Sequence, residues 1–286
     1  MQHDKNTEVR TQYLAFLMKL PPEFAKQREN AAAATEIWLA QHEEDTSVRT
    51  QYLAFVQQLP PELGEVGKQA ALNTAEWLKN HPENLDVCTG YVGLLLAVRH
   101  PDLADLEAKS IPYHQFLIDK NPRQVGYRFT FAEQLLRLEK YADARAQYEQ
   151  VLAREPRHQL AHRGLAITFQ NLGEPEKAEV EFKRALNLAT DKGSKLAMFH
   201  TSLGVFYLGE KRWDEATQSF EAAERNSPGY YGNHWGIAKA RSEQGNLIGA
   251  KQSLQRALGI PGLISPAKED IERMLADILQ RITAQS

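Results

Sequence analysis

Val9-Arg10-Thr11-Gln12-Tyr13-Leu14-Ala15-Phe16 returns unchanged as Val48-Arg49-Thr50-Gln51-Tyr52-Leu53-Ala54-Phe55, an offset of 39 residues. A degenerate third copy, Val87, Tyr91 and Leu94, lies a further 39 residues on, and Trp38, Trp77 and Phe116 keep the same step. A fixed period of this size is the signature of stacked units that touch only their neighbours, not of a closed globule.

Each 39-residue unit reads as two helices. In the first unit Val9, Tyr13, Phe16, Leu17 and Leu20 recur at three- and four-residue steps, which marks one helical face. Pro21-Pro22 then stops the helix, because proline lacks an N–H and restricts the residue before it. Glu23 follows where an acid favours a helix start. The second helix carries Phe24, the alanine run 31–34, Ile37, Trp38 and Leu39. Unit two repeats the plan from Tyr52 to Leu59, through Pro60-Pro61, to Ala70–Leu78 and the turn His81-Pro82-Glu83-Asn84. In unit three the first helix runs near Val87–Val98, Pro101 breaks the chain, and the second helix ends at Phe116-Leu117 before Asn121-Pro122. Residues 1–122 are therefore expected to form three helical hairpins of about 39 residues.

Beyond residue 122 the period shortens. Ala144 to Ala178 is 34 residues, Ala178 to Ala216 is 38 and Ala216 to Ala250 is 34, and Tyr148, Phe182, Phe220 and Leu254 keep these steps. Small residues recur at Ala132, Ala166, Gly204 and Ala238, where they let two helices approach while the aromatics fill the groove between them. Pro156 and Pro228 close two units, and Gly262 stands where a third such proline would fall. The stretch Thr190-Asp191-Lys192-Gly193-Ser194-Lys195 holds about four extra residues in a polar turn.

On these residues, 125–262 resemble four tetratricopeptide repeats. The pattern is carried by Ala132…Tyr141…Ala144…Tyr148…Val151…Pro156, by Ala166…Phe169…Gly173…Ala178…Phe182…Ala185, by Gly204…Tyr207…Trp213…Ala216…Phe220…Ala223…Pro228, and by Ala238…Gly245…Ala250…Leu254…Ala257. The three hairpins of 1–122 look like longer relatives of the same unit. The resemblance implies an all-α fold, a right-handed α-solenoid of stacked antiparallel helix pairs.

A final helix is expected over 265–284. Ser265 suits the N-cap and Pro266 the first helical position. Ile271, Met274, Leu275, Ile278, Leu279 and Ile282 make one apolar stripe, opposite Glu272, Arg273, Asp277, Gln280 and Arg281. A helix with one wet face ends such an array. Repeat-like sequence begins within the first ten residues without a comparable cap, so the chain is expected to continue in a longer protein, or a partner to cover that end.

Totals narrow the function classes. Net charge is −3 and the pI about 6.3, with none of the basic surplus that neutralises nucleic-acid phosphate. No apolar run approaches the ~20 residues that span a bilayer. The single Cys88 cannot form an internal disulfide; it is expected to be a small buried residue, in a reduced, cytoplasmic setting.

No catalytic constellation, metal set or cofactor motif emerges, so no enzymatic activity and no cofactor are expected. His158 and His162 are four apart, but without an acid or cysteine at matching spacing they read as solvated surface. His42 and His81 hold equivalent turn positions, replaced by Lys120 in the third unit, which points to repeat inheritance. Gly229, Gly232 and Gly236 match no phosphate loop.

Recognition remains. In the tetratricopeptide family the first helix of each repeat builds the inner wall. The resemblance implies groove-facing positions at Phe129, Glu133, Arg163, Ile167, Met198, Thr201, Val205, Trp235 and Lys239. Apolar and aromatic side chains there suit a partner, or else pack on a neighbouring helix or the C-terminal one. Phe129, Glu133, Gly164, Met198 and Ser202 stand where some members hold an Asn/Lys/Arg clamp for a terminal carboxylate, so that clamp is missing. Arg10 and Arg49 either line the wall or pair within the array with Glu44 or a similar acid. The expected function is a scaffold or adaptor that binds another protein or peptide. The alternative is a sensor or autoinhibitory arm of a larger bacterial signalling or defence assembly.

Overall fold

In a computed structural model of the chain, residues 2–60, 63–98, 101–189, 193–263, 265 and 267–285 are described. Pro61, the turn residues Thr190, Asp191 and Lys192, and Pro266 lie outside them. The described residues form helices joined by short turns, with no strand among them. They fall into two compact units, Met1–Gln150 and Val151–Ser286.

The first unit holds α1 (Gln2–Met18), α2 (Ala25–Gln41), α3 (Thr46–Val56), α4 (Gly64–Asn80), α5 (Leu85–Ala97), α6 (Ala104–Lys109), α7 (Ile111–Lys120), α8 (Val125–Arg137) and most of α9 (Tyr141–Arg154). Helix starts are written in the sequence. The Asp45 carboxylate accepts from the Val48 N–H at 3.0 Å, and the Asn84 side-chain Oδ1 from the Val87 N–H at 3.0 Å, each satisfying a donor left over at a helix N-terminus. Helix α3 packs on α1, and α5 on α3, through one continuous apolar core from Leu14 to Leu117. The second helix of the third hairpin is broken into α6 and α7 at Ser110, next to Pro112, which cannot donate a helical N–H.

One expectation for α1 is corrected. Leu14 and Leu17 are buried, but Val9, Tyr13 and Phe16 are 66%, 48% and 57% exposed. Their identical counterparts Val48, Tyr52 and Phe55 are buried to 1% or less. Helix α3 has a hairpin on either side; within this unit α1 has one on one side only.

The second unit holds the end of α9, then α10 (Gln159–Asn171), α11 (Pro175–Leu188), α12 (Ser194–Gly209), α13 (Trp213–Asn226), α14 (Tyr231–Glu243), α15 (Leu247–Leu258) and α16 (Ala267–Gln285). From α10 onward each helix packs on the next, and α10 touches α12 as α12 touches α14, so these first helices form one wall. Ala166, Gly204 and Ala238 are buried on it, and Ala132 is buried on α8 of the first unit. The Phe220 ring lies between α12 and α14, where a Cβ on Gly204 would stand 2.9 Å from it and one on Gly236 2.5 Å. Helix α16 closes the unit with Ile271 and Ile278 buried on Ala238, Ala250 and Leu254. Leu279, expected in that stripe, is 42% exposed. Ser265 donates from its hydroxyl to Glu269 at 2.6 Å.

Candidate functional site

The wall of α12 and α14, with α16 folded across it, encloses a cleft of about 690 Å³. Thr201 and Val205 of α12, Tyr230 at the cap of α14, Tyr231 and Trp235 of α14, and Ile271 and Met274 of α16 line it. Val205 is 54% exposed and Tyr230 52%, so apolar surface stays open to solvent. Trp235 is half-buried: one side packs with the α15–α16 cluster, and the ring also lines the cleft. The Lys239 ammonium stands 5.3 Å from the Trp235 ring centroid, a cation–π contact that orients the indole. The Thr201 hydroxyl donates to the Asn233 side-chain oxygen at 2.8 Å, which fixes α12 against α14 at the cleft floor. Asp270, Arg273 and Asp277 line the cleft from α16. That helix face, read from sequence as merely wet, is thus a wall of the site.

The other expected groove residues sit as follows. Arg163 donates through Nε to the Ser202 hydroxyl at 2.8 Å, and that hydroxyl donates to the Met198 carbonyl at 2.9 Å, so the guanidinium is held by α12. Arg163, Ile167 and Met198 are all half-buried. In the first unit Phe129 is half-buried with its ring edge-on to Tyr148, centroids 6.3 Å apart. Glu133 accepts a short hydrogen bond from the Tyr148 hydroxyl. Thr201, Val205 and Trp235 are the predicted positions the cleft brings together. Tyr230, Tyr231 and the α16 residues were missed. The Tyr230-Tyr231 pair, directly after Pro228-Gly229, was the available signal.

One further expectation is corrected. His162 is not solvated: it is buried, with Nδ1 2.5 Å from the Glu181 carboxylate and Nε2 2.9 Å from the Pro156 carbonyl. Burial lowers its pKa, but the hydrogen bonds to Glu181 and Pro156 outweigh that, and the net displacement is upward. His158 caps α10, its Nδ1 accepting from the Ala161 N–H at 3.0 Å. Arg49 lines a small cleft with Glu36 and Glu43, and both acids act on its guanidinium, the pairing with a nearby acid that was one of its two expected roles. The Arg10 guanidinium lies 5.2 Å from the Trp38 ring centroid and Arg49 4.8 Å from Trp77. His42 and His81 stack on the same indoles at 4.1 and 4.0 Å, both tilted by 7°. In the third hairpin Lys120 stands 5.5 Å from the Phe116 centroid, so its cation comes from the position that holds histidine in the others.

Cys88 is buried, and burial pushes its thiol up to about 11, away from a reactive thiolate. Among the described residues no group of three or more His, Cys, Asp or Glu is placed to hold a metal ion. Among them, too, no helix is long and apolar enough to cross a membrane.

Residues 129–195 match the tetratricopeptide repeat family model. An uncharacterized protein of Haemophilus influenzae is 33% identical over 88 residues, 31% of this chain and 46% of that protein. Superkiller protein 3 of Schizosaccharomyces pombe is 33% identical over 100 residues, 34% of this chain and 7% of that protein. The matches thus span less than half the length of these relatives. A tetratricopeptide repeat protein from Parabacteroides merdae has a similar structure, with a TM-score of 0.63 and 14% identity, covering 94% of this chain and 99% of that one. Yeast Tom70 gives a TM-score of 0.60 at 13% identity, covering 92% of this chain and 61% of Tom70. At these identities the two structures speak for the fold, a helical solenoid.

Proposed function

From the premise that this chain belongs to the tetratricopeptide repeat family, we propose that it works as a non-enzymatic scaffold that holds a protein or peptide segment in the cleft between α12, α14 and α16. We divide the array into three longer hairpins over 1–122, four repeats over 125–262 and a closing helix over 265–284. The observation that carries the reading is the open apolar surface at Val205, Tyr230 and Trp235 inside a cleft. Exposed apolar surface in a concavity is costly unless covered, and aromatic side chains anchored by their neighbours make the strongest contact points. Thr201, Trp235 and Lys239 would form the centre of the contact. Met198, Arg163 and Ile167 would extend it along α12 and α10, and Phe129 and Glu133 would serve a partner of the first unit.

The segment that fits is one with a bulky apolar side chain for Val205 and Trp235. Peptides selected from a random display library on the purified chain test this. Their affinity for Trp235→Ala and Val205→Glu should fall roughly tenfold or more. Selected peptides that bind both variants as tightly as the parent would reject the cleft.

A further inference from the structure

We infer that the exposed face of α1 pairs with α1 of a second copy of this chain, the two helices antiparallel about a two-fold axis near Gln12 and Tyr13. The chain itself shows what this face is built for. The same eight residues occur twice, and at the second occurrence Val48, Tyr52 and Phe55 are buried in the core that α3 shares with its neighbours, with Glu36 of α2 in the preceding hairpin acting on the Tyr52 hydroxyl. At the first, Val9, Tyr13 and Phe16 stand open along one side of α1. The side of the α1 hairpin that covers α3 is already occupied by α3. A second copy therefore meets this face most simply with the same face, an isologous contact of the commonest kind.

The flanks of the string favour that arrangement. The exposed copy is bracketed by Glu8 and Lys19, both exposed. The buried copy has the uncharged Ser47 and Gln58 at the equivalent positions. When two α1 helices run antiparallel, Val9 of each faces Phe16 of the other, and Glu8 of each comes beside Lys19 of the other, at both ends of the strip. Glu8 accepts from Gln12 within its own helix at 3.0 Å through one oxygen, leaving the other for the partner's ammonium. Charges of opposite sign at the two ends of an apolar strip set its orientation. Ile37 of α2, 64% exposed where the second hairpin carries Glu76, makes the first hairpin more apolar than the second at this position.

Sedimentation equilibrium of the full chain over a concentration series tests the pairing, with far-UV circular dichroism to confirm that each variant is folded. The parent should show a reversible monomer–dimer equilibrium. Phe16→Glu should abolish it without loss of helix, since Phe16 has little burial to lose in the monomer. Glu8→Lys and Lys19→Glu should each weaken the dimer roughly tenfold, because each change acts twice across the axis. The double variant Glu8→Lys with Lys19→Glu should recover the parent affinity. A parent that stays monomeric throughout would overturn the proposal. So would a dimer indifferent to Phe16→Glu, or charge reversals that fail to rescue one another.

Discussion

Arg49 shows how one side chain is committed by its surroundings. Its guanidinium is buried over the Trp77 ring, and burial lowers its pKa while Glu36 and Glu43 act to raise it. The indole is fixed in turn, its Nε1 donating to the Glu43 carbonyl at 2.7 Å and its ring stacked on His81. Arg49→Ala should cost about 1–3 kcal/mol, through the lost cation–π contact and the packing of the aliphatic stem. The urea midpoint of unfolding is the measurement. His114 carries the pH dependence. It is fully buried and stacked on Phe131 at 5.0 Å, and burial lowers its pKa from 6.5 to about 4. The unfolded chain binds this proton and the folded chain does not, so stability is lost as pH falls from about 6.5 towards 4. The loss amounts to about 3 kcal/mol for this group. His162 works in the opposite sense. Its pKa is raised, so its contribution is complete below about 6.5 and is lost as pH rises through the folded-state value. Unfolding midpoints across this pH range for His114→Phe and His162→Gln should each lack the corresponding limb.

At the scale of the helix pair, close approach is bought with glycine. Gly204 and Gly236 flank the buried Phe220 ring, and a methyl on Gly236 would stand 2.5 Å from two ring carbons. Gly236→Ala gains helix propensity of about 1 kcal/mol but must displace the buried Phe220 ring, so a net loss of about 1–3 kcal/mol is expected. Gly126, with nothing within 4 Å, is the control: its replacement by alanine should stabilise by about 0.5 kcal/mol. Thermal unfolding of the two variants separates the effects. Gly204 was legible in the sequence as a small residue in register with Ala132 and Ala166, because side-chain size at a fixed repeat position reports helix spacing. The His162–Glu181 contact was not. It joins residues 19 apart on different helices, and the three- and four-residue spacings of one helix cannot reveal such a partner.

At the scale of the whole chain, the period fixes which residues face the same way but not which face is covered. The 39-residue step predicted the helices and put Leu17 on an apolar face, where it is buried, but it did not assign the equally buried Leu14 to that face. It treated Val9 and Val48 alike, although one is open and the other buried, because coverage depends on position in the array. The candidate cleft was half legible for a related reason. Thr201, Val205 and Trp235 follow from repeat register, whereas the α16 wall arises from a helix outside the register folding back over α14.

The duplicated octapeptide also bears on how the chain reaches its native state. Two segments with the same sequence offer a collapsing chain two nearly equivalent ways to dock a hairpin, one of them a full repeat out of step. The discrimination between them falls to the residues that differ: Glu8 against Ser47, Met18 against Gln57, Ile37 against Glu76. Those few positions act as the address labels of the array. Substitutions that make the first two units more alike would erode the kinetic preference for the correct alignment, even where each unit on its own became more stable.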